Sequence, residues 1–140
     1  MVMKTPDAST FAMYIVVRES LNMSIGKTAA QCCHAVQYLM ADFARCSADD
    51  NSIADGIFGN CACFCCMSEW ITDGLHTKIV LGADEKEWAR LLVDTDTTHR
   101  VVVTDAGLTE LEPGTDTVMA FVPMRKSDRL VCLKRLQALK

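Results

Sequence analysis

Apolar residues run almost unbroken through Ala12–Arg18 (AMYIVVR), a stretch rich in β-branched and aromatic side chains. Such a run predicts a strand buried on both faces at the centre of a sheet. Leu21–Ile25 reads as a loop, and from Gly26 the period becomes helical. Ala29, Cys33, Val36, Met40 and Phe43 recur at alternate spacings of four and three, which predicts one apolar stripe. Lys27, Gln31, His34 and Tyr38 keep that rhythm on the other face. Residues 47–56 (SADDNSIADG) are the most polar stretch and read as a surface loop. Residues 58–73 fit two patterns. Cys61, Cys63 and Cys65 alternate like a strand, whereas Cys63, Met67, Trp70 and Ile71 share a helical face that Gly74 would terminate; the helix is favoured.

Thr77–Gly82 (TKIVLG) predicts a second strand. Asp84 followed by Glu87 is a helix-start signal, because the aspartate accepts orphan backbone N–H groups while the glutamate reaches back. Arg100–Thr104 and Thr117–Val122 predict two more strands, joined by a turn-rich loop over 105–114. Ser127 or Asp128 would cap a last helix with Leu130, Leu133, Leu136 and Leu139 on its apolar side. The order βααβαββα predicts a single α/β domain over 1–140 with helices on both faces of its sheet, and residues 1–11 as a flexible extension. The last two strands have no helix between them, so the sheet is expected to be mixed.

Composition narrows the class. The chain has 140 residues, half of them hydrophobic, which suits a globular domain with a real core. Its longest apolar runs, Phe11–Val17 and Cys61–Met67, have seven residues, far too few to span a membrane. The net charge of −4 argues against a broad basic grip on nucleic acid. Its distribution modifies that view: residues 125–140 carry six basic side chains against Asp128 alone. The start, MVMKTPDAST, lacks the basic-then-apolar order of a signal peptide. The eight cysteines are therefore expected to be reduced thiols. Their clustering at Cys61, Cys63, Cys65 and Cys66 does not have zinc-site spacing, and small buried hydrophobes are the favoured reading. No metal or cofactor is expected.

Three segments could carry chemistry. Ser24–Thr28 (SIGKT) contains Gly-Lys-Thr, but position 21 is Leu where a phosphate-binding loop needs its first glycine. What is left is a lysine at a helix start, where exposed N–H groups favour an anion. Lys27, Gln31 and His34 project on one side of that helix. Asp105 ends a strand, where ligands gather in open α/β sheets, and Thr109 and Thr117 add hydroxyls nearby.

Together these segments resemble a known family. Gly26-Lys27-x-Ala29-Ala30-Gln31-x-x-His34-Ala35, followed by Asp105-Ala106-Gly107-x-Thr109-x-x-x-Pro113-Gly114-x-x-Thr117, is similar to the peptidyl-tRNA hydrolases of the archaeal and eukaryotic type. Val16-Val17-Arg18 and Trp70-x-x-x-Gly74-x-x-x-Lys78-Ile79-Val80-Leu81 fit the same pattern. The resemblance implies a three-layer domain with a four-stranded mixed sheet. It implies cleavage of the ester between a nascent peptide and the 3′-terminal ribose of tRNA, which would recycle tRNA from stalled translation. It assigns catalysis to Lys27, Asp105, Thr109 and Thr117, and substrate binding to Gln31, His34, Gly107 and Arg18. It also implies a cytoplasmic or mitochondrial location and a homodimer. Ile25 and Leu108 stand where the resemblance leads one to expect basic residues, so weak, salt-sensitive tRNA binding is expected. A non-catalytic RNA- or protein-binding module is the alternative, and the complete set of five polar residues favours the enzyme.

Overall fold

The structure is a computed structural model that describes residues 11–48 and 56–140. Strand β1 (Phe11–Arg18) is the central strand, and its continuous apolarity has the anticipated cause. Met13, Ile15 and Val17 face one layer, while Ala12, Tyr14 and Val16 face the other. The first layer contains helix α1 (Ile25–Ala48) and helix α2 (Cys61–Thr72), packed through Ala35, Leu39, Met67 and Trp70. The second contains helix α3 (Glu85–Asp94) and a four-residue helix α4 (Val131–Lys134), packed through Trp88, Leu91 and Leu133. Helices thus cover both faces, as the element order predicts.

Strand β2 (Lys78–Ala83) pairs parallel with β1, with Ile15 opposite Val80. Strand β3 (Arg100–Thr104) and strand β4 (Asp116–Phe121) form an antiparallel pair, and β4 runs antiparallel to β1. The sheet is therefore mixed, but among the described residues it has six strands rather than four. The additions are short: β5 (Met124–Arg125) pairs with the start of β1, and β6 (Gln137–Ala138) pairs with β2. The order across the sheet is β3-β4-β1-β2-β6.

The end of the chain departs from the expected long helix. Leu130, Leu133, Leu136 and Leu139 repeat every three residues, a period that drifts around a 3.6-residue helix. They do not share one face. Leu133 is buried in the α3 layer, while Leu139 packs in the α1 layer and donates its backbone N–H to Val80 O at 3.0 Å. Pairing with β2 covers an edge that would otherwise be exposed.

Helix starts follow local chemistry. Asp84 and Glu87 form the reciprocal cap anticipated for α3, with Asp84 Oδ1 accepting from Glu87 N at 2.7 Å. Asn60 caps α2 by accepting from Ala62 N at 2.9 Å, and Cys63, Met67 and Trp70 form its buried face. Cys63 fits the small-hydrophobe reading, but Cys61 and Cys65 are exposed, because they lie on the opposite side of α2. The buried face of α1 also differs from the expected stripe. Ala29, Cys33 and Met40 are exposed; Gln31, Ala35 and Leu39 are buried, with Cys32, Val36 and Phe43 beside them. The face read as polar therefore turns inward at its first two turns. The expected 1–11 extension and 47–56 loop lie mostly outside the described residues; Phe11 itself is in β1. Among the described residues no helix is long and apolar enough to cross a membrane.

Candidate active site

Strands β1 and β3 are parallel, so both end at the same rim of the sheet. α1 starts just beyond β1, and the 105–115 loop starts just beyond β3. This topology brings the two sequence motifs together. Ser24 caps α1, its Oγ accepting from Lys27 N at 3.2 Å. The first turn of α1 then aims Lys27 at the loop, and Gln31 follows one turn later on the same side.

The loop is shaped by its own backbone. Asp105 N donates to Thr115 O at 2.8 Å, and Gly114 N donates to Asp105 O at 2.9 Å. Gly107 has a φ of 77°, and its N–H donates to Asp105 Oδ2 at 2.9 Å. A Cβ at position 107 would lie 2.6 Å from the backbone nitrogen of Pro113, so the position requires glycine for both reasons.

Asp105 is the hub. Its Oδ1 accepts from Lys27 Nζ, forming an ion pair, and from Gln31 Nε2 at 3.2 Å. Lys27 Nζ also donates to Thr109 Oγ1 at 2.9 Å. Thr117 is fully buried and donates to Gln31 Oε1 at 2.7 Å, with Val103 O a second acceptor at 3.2 Å. The Lys27 hydrogen bond holds the Asp105 carboxyl below its ordinary value against the opposing effect of burial; the Gly107 N–H and, more weakly, the charge of His34 act in the same direction as Lys27.

Counting donors and acceptors shows what is free. A lysine ammonium has three hydrogens, and two are engaged, so one remains. Asp105 Oδ2, which accepts from the Gly107 N–H, keeps further acceptor capacity. The side chains of Lys27 and Asp105 are 12% and 4% exposed, so the pair is largely withdrawn from solvent. Thr109 receives a hydrogen bond from an ammonium, which cannot take its proton, so it is not an activated nucleophile.

The structure thus brings Lys27, Gln31, Asp105, Gly107, Thr109 and Thr117 into one network. His34 and Arg18 stand apart from it. The His34 ring is exposed and lies beside Tyr38, with centroids 6.4 Å apart. The Arg18 guanidinium is held by Glu85, with Nε to Oε1 at 2.6 Å and Nη2 to Oε2 at 3.0 Å, and donates to Asp116 O at 3.1 Å. That pairing pulls the exposed Glu85 carboxyl down to about 2. Ile25 and Leu108 are 92% and 88% exposed and bring no charge to the rim.

Two polar residues at the rim have contacts to which the sequence reading gave no role. Glu110 accepts from Ser24 N at 3.0 Å and from Ser24 Oγ. Ser24 could have been found as the capping residue before a helical run. Glu110 carries no local signal, because its partner lies 86 residues away.

A groove of about 1020 Å³ runs along the other flank of α1, and Arg18, Ile25, Thr28, Arg135 and Lys140 are among its lining residues. The basic C-terminal segment is therefore divided. Arg135 and Lys140 reach this groove, whereas Arg125 and Arg129 lie over the rings of Phe11 and Tyr14 near the start of β1. Among the described residues no group of three or more His, Cys, Asp or Glu side chains is placed to hold a metal ion.

Residues 11–139 match the family described as Peptidyl-tRNA hydrolase PTH2. The mouse protein named Peptidyl-tRNA hydrolase 2, mitochondrial, is 30% identical over 119 residues, covering 84% of this chain and 57% of the mouse one. The Peptidyl-tRNA hydrolase of Methanopyrus kandleri is 33% identical over 123 residues, covering 84% of this chain and 89% of the archaeal one. The Pyrobaculum aerophilum protein of the same name is 33% identical over 115 residues, covering 79% and 82%. The chain thus spans little more than half the length of its mouse relative and most of the length of the archaeal ones.

Proposed function

This chain belongs to the PTH2 family of peptidyl-tRNA hydrolases, and from that membership we propose that it hydrolyses the ester joining a peptide to the 3′-terminal ribose of tRNA. The observation that carries the reading is the Lys27–Asp105 ion pair, which joins the two family motifs at one rim and leaves a donor and an acceptor free. An ester hydrolase needs a nucleophile, stabilisation of the developing oxyanion and a proton for the leaving oxygen. Water is the nucleophile. Asp105 Oδ2 orients it and takes one of its protons as the new C–O bond forms. A carboxylate held this low is a poor base for free water, so positioning is the larger part of its work.

The spare Lys27 N–H faces the oxygen that becomes negative. Collapse of the tetrahedral intermediate breaks the bond to the ribose oxygen, and the proton held by Asp105 passes to that oxygen. The products are a peptide carboxylic acid and a tRNA with a free terminal hydroxyl. Thr109 keeps Lys27 in place. Gln31 and Thr117, both buried, act through Asp105 and do not touch substrate. A cytoplasmic or mitochondrial setting and a homodimer belong to the same reading, with family membership as their support.

The test is hydrolysis of N-acetylated peptidyl-tRNA in water enriched in heavy oxygen. The label is expected in the released peptide carboxylate, with none in the tRNA. Intact substrate after long incubation overturns the hydrolase reading and leaves a binding module.

A further inference from the structure

The 105–115 loop is tied to α1 at its tip by two polar contacts, Lys27 with Thr109 and Ser24 with Glu110. The second contact has a particular form. Ser24 presents both its N–H and its hydroxyl to the two oxygens of one carboxylate. The same hydroxyl oxygen accepts from Lys27 N. A hydrogen-bonded chain therefore runs from Glu110 through Ser24 to the backbone of Lys27. The carboxylate also sits at the positive end of α1, where the helix dipole favours it.

We infer that Glu110 and Ser24 form a latch that positions Lys27 against Asp105, so that Glu110 is a positioning residue of the reaction although it touches neither substrate nor Asp105. The inference rests on the proposed catalytic role of Asp105. Residues 109 and 110 are neighbours, so docking Glu110 on Ser24 fixes where Thr109 meets Lys27 Nζ. Without the latch, Thr109 alone would tie the exposed loop tip to α1. The two Ser24 hydrogen bonds keep the carboxyl of Glu110 below its ordinary value and Lys27 acts in the same direction, against burial and, more weakly, the like charge of Asp105.

The latch acts on Asp105 by holding Lys27 in contact with it, and that contact is the chief cause of the lowered Asp105 titration. Deleting a mere surface charge would leave the contact in place and would not raise the Asp105 midpoint. Deleting a latch raises it.

The experiment is a carbon-detected NMR titration of Asp105 in the full chain for wild type, Ser24→Ala, Ser24→Thr and Glu110→Ala, with circular dichroism as a folding control. Glu110 is on an exposed loop, so Glu110→Ala reports even where loss of the Ser24 cap weakens α1. The expected result is a raised Asp105 midpoint in Ser24→Ala and Glu110→Ala, restored in Ser24→Thr. With it, kcat for peptidyl-tRNA falls roughly ten- to a hundred-fold, as a misplaced catalytic group does, and KM changes little. An Asp105 midpoint that falls or stays unchanged in Glu110→Ala or in Ser24→Ala overturns the latch. A wild-type protein that cleaves no peptidyl-tRNA would end the hydrolase reading, while the titration would still decide the latch.

Discussion

Thr117 Oγ1 donates to Gln31 Oε1 at 2.7 Å, and this one bond decides which end of the Gln31 amide faces Asp105. With the carbonyl turned to the hydroxyl, the amide nitrogen meets the carboxylate at 3.2 Å. The reverse orientation would set two oxygen acceptors against each other. Thr117 thus supports Asp105 through Gln31, and its complete burial removes competing water.

Thr117→Val keeps the shape but leaves Gln31 Oε1 buried without its partner. Destabilisation of about 1–3 kcal/mol is expected, measured by urea unfolding. The double variant Gln31→Leu, Thr117→Val replaces both partners with apolar groups and should recover most of that stability. Its hydrolysis rate should stay low, because Asp105 still lacks the amide donor. Recovery of rate together with stability would contradict the positioning role.

Gly107→Ala meets two obstacles, the left-handed backbone and the close approach of Pro113. A cost on the order of 1–3 kcal/mol is expected for forcing a side chain there. Relieving the clash disturbs the loop that aims the Gly107 N–H at Asp105 Oδ2. The Asp105 titration midpoint should rise as well, so thermal unfolding and NMR titration together check this prediction.

The pH dependence follows from the same carboxylate. Its folded value is depressed, chiefly by Lys27. The stability it contributes is therefore present above the unfolded value, about 3.9, and is lost as pH falls through the folded value. The acid limb of kcat/KM should lie below the ordinary aspartate range. Lys27→Met should move that limb upward while lowering the plateau. An acid limb unmoved by Lys27→Met would separate the limb from Asp105.

The divided basic segment predicts where tRNA phosphates meet the protein. Arg135→Glu and Lys140→Glu, at the groove beside the first turn of α1, should raise KM for tRNA substrates. Each should also reduce the salt slope by about one for every phosphate it no longer neutralises. Arg125→Glu and Arg129→Glu, near the far end of β1, should change neither. Equal effects at both places would point to diffuse attraction.

Much of this architecture was legible in the sequence for identifiable reasons. β1 announced itself because a strand buried on both faces has no polar alternation to obscure it. The α3 start was visible because Asp84 and Glu87 satisfy each other locally. The buried face of α1 was missed because Gln31 is polar and yet points inward, its burial made tolerable by Thr117 and Asp105 from distant segments. The Leu130–Leu139 repeat was misleading because pairing with β2 overrode helical propensity. Glu110 was invisible because nothing near it in the chain hints at Ser24. The site residues themselves came from the two-motif resemblance; spacing alone would have left them as solvated polar side chains.

Whether the Lys27–Asp105 pair performs the ester cleavage is decided by single-turnover hydrolysis of peptidyl-tRNA. Lys27→Ala and Asp105→Asn should each slow the chemical step by roughly 10²–10³ while both proteins stay folded. A rate near wild type in either variant would contradict the assignment of catalysis to this pair.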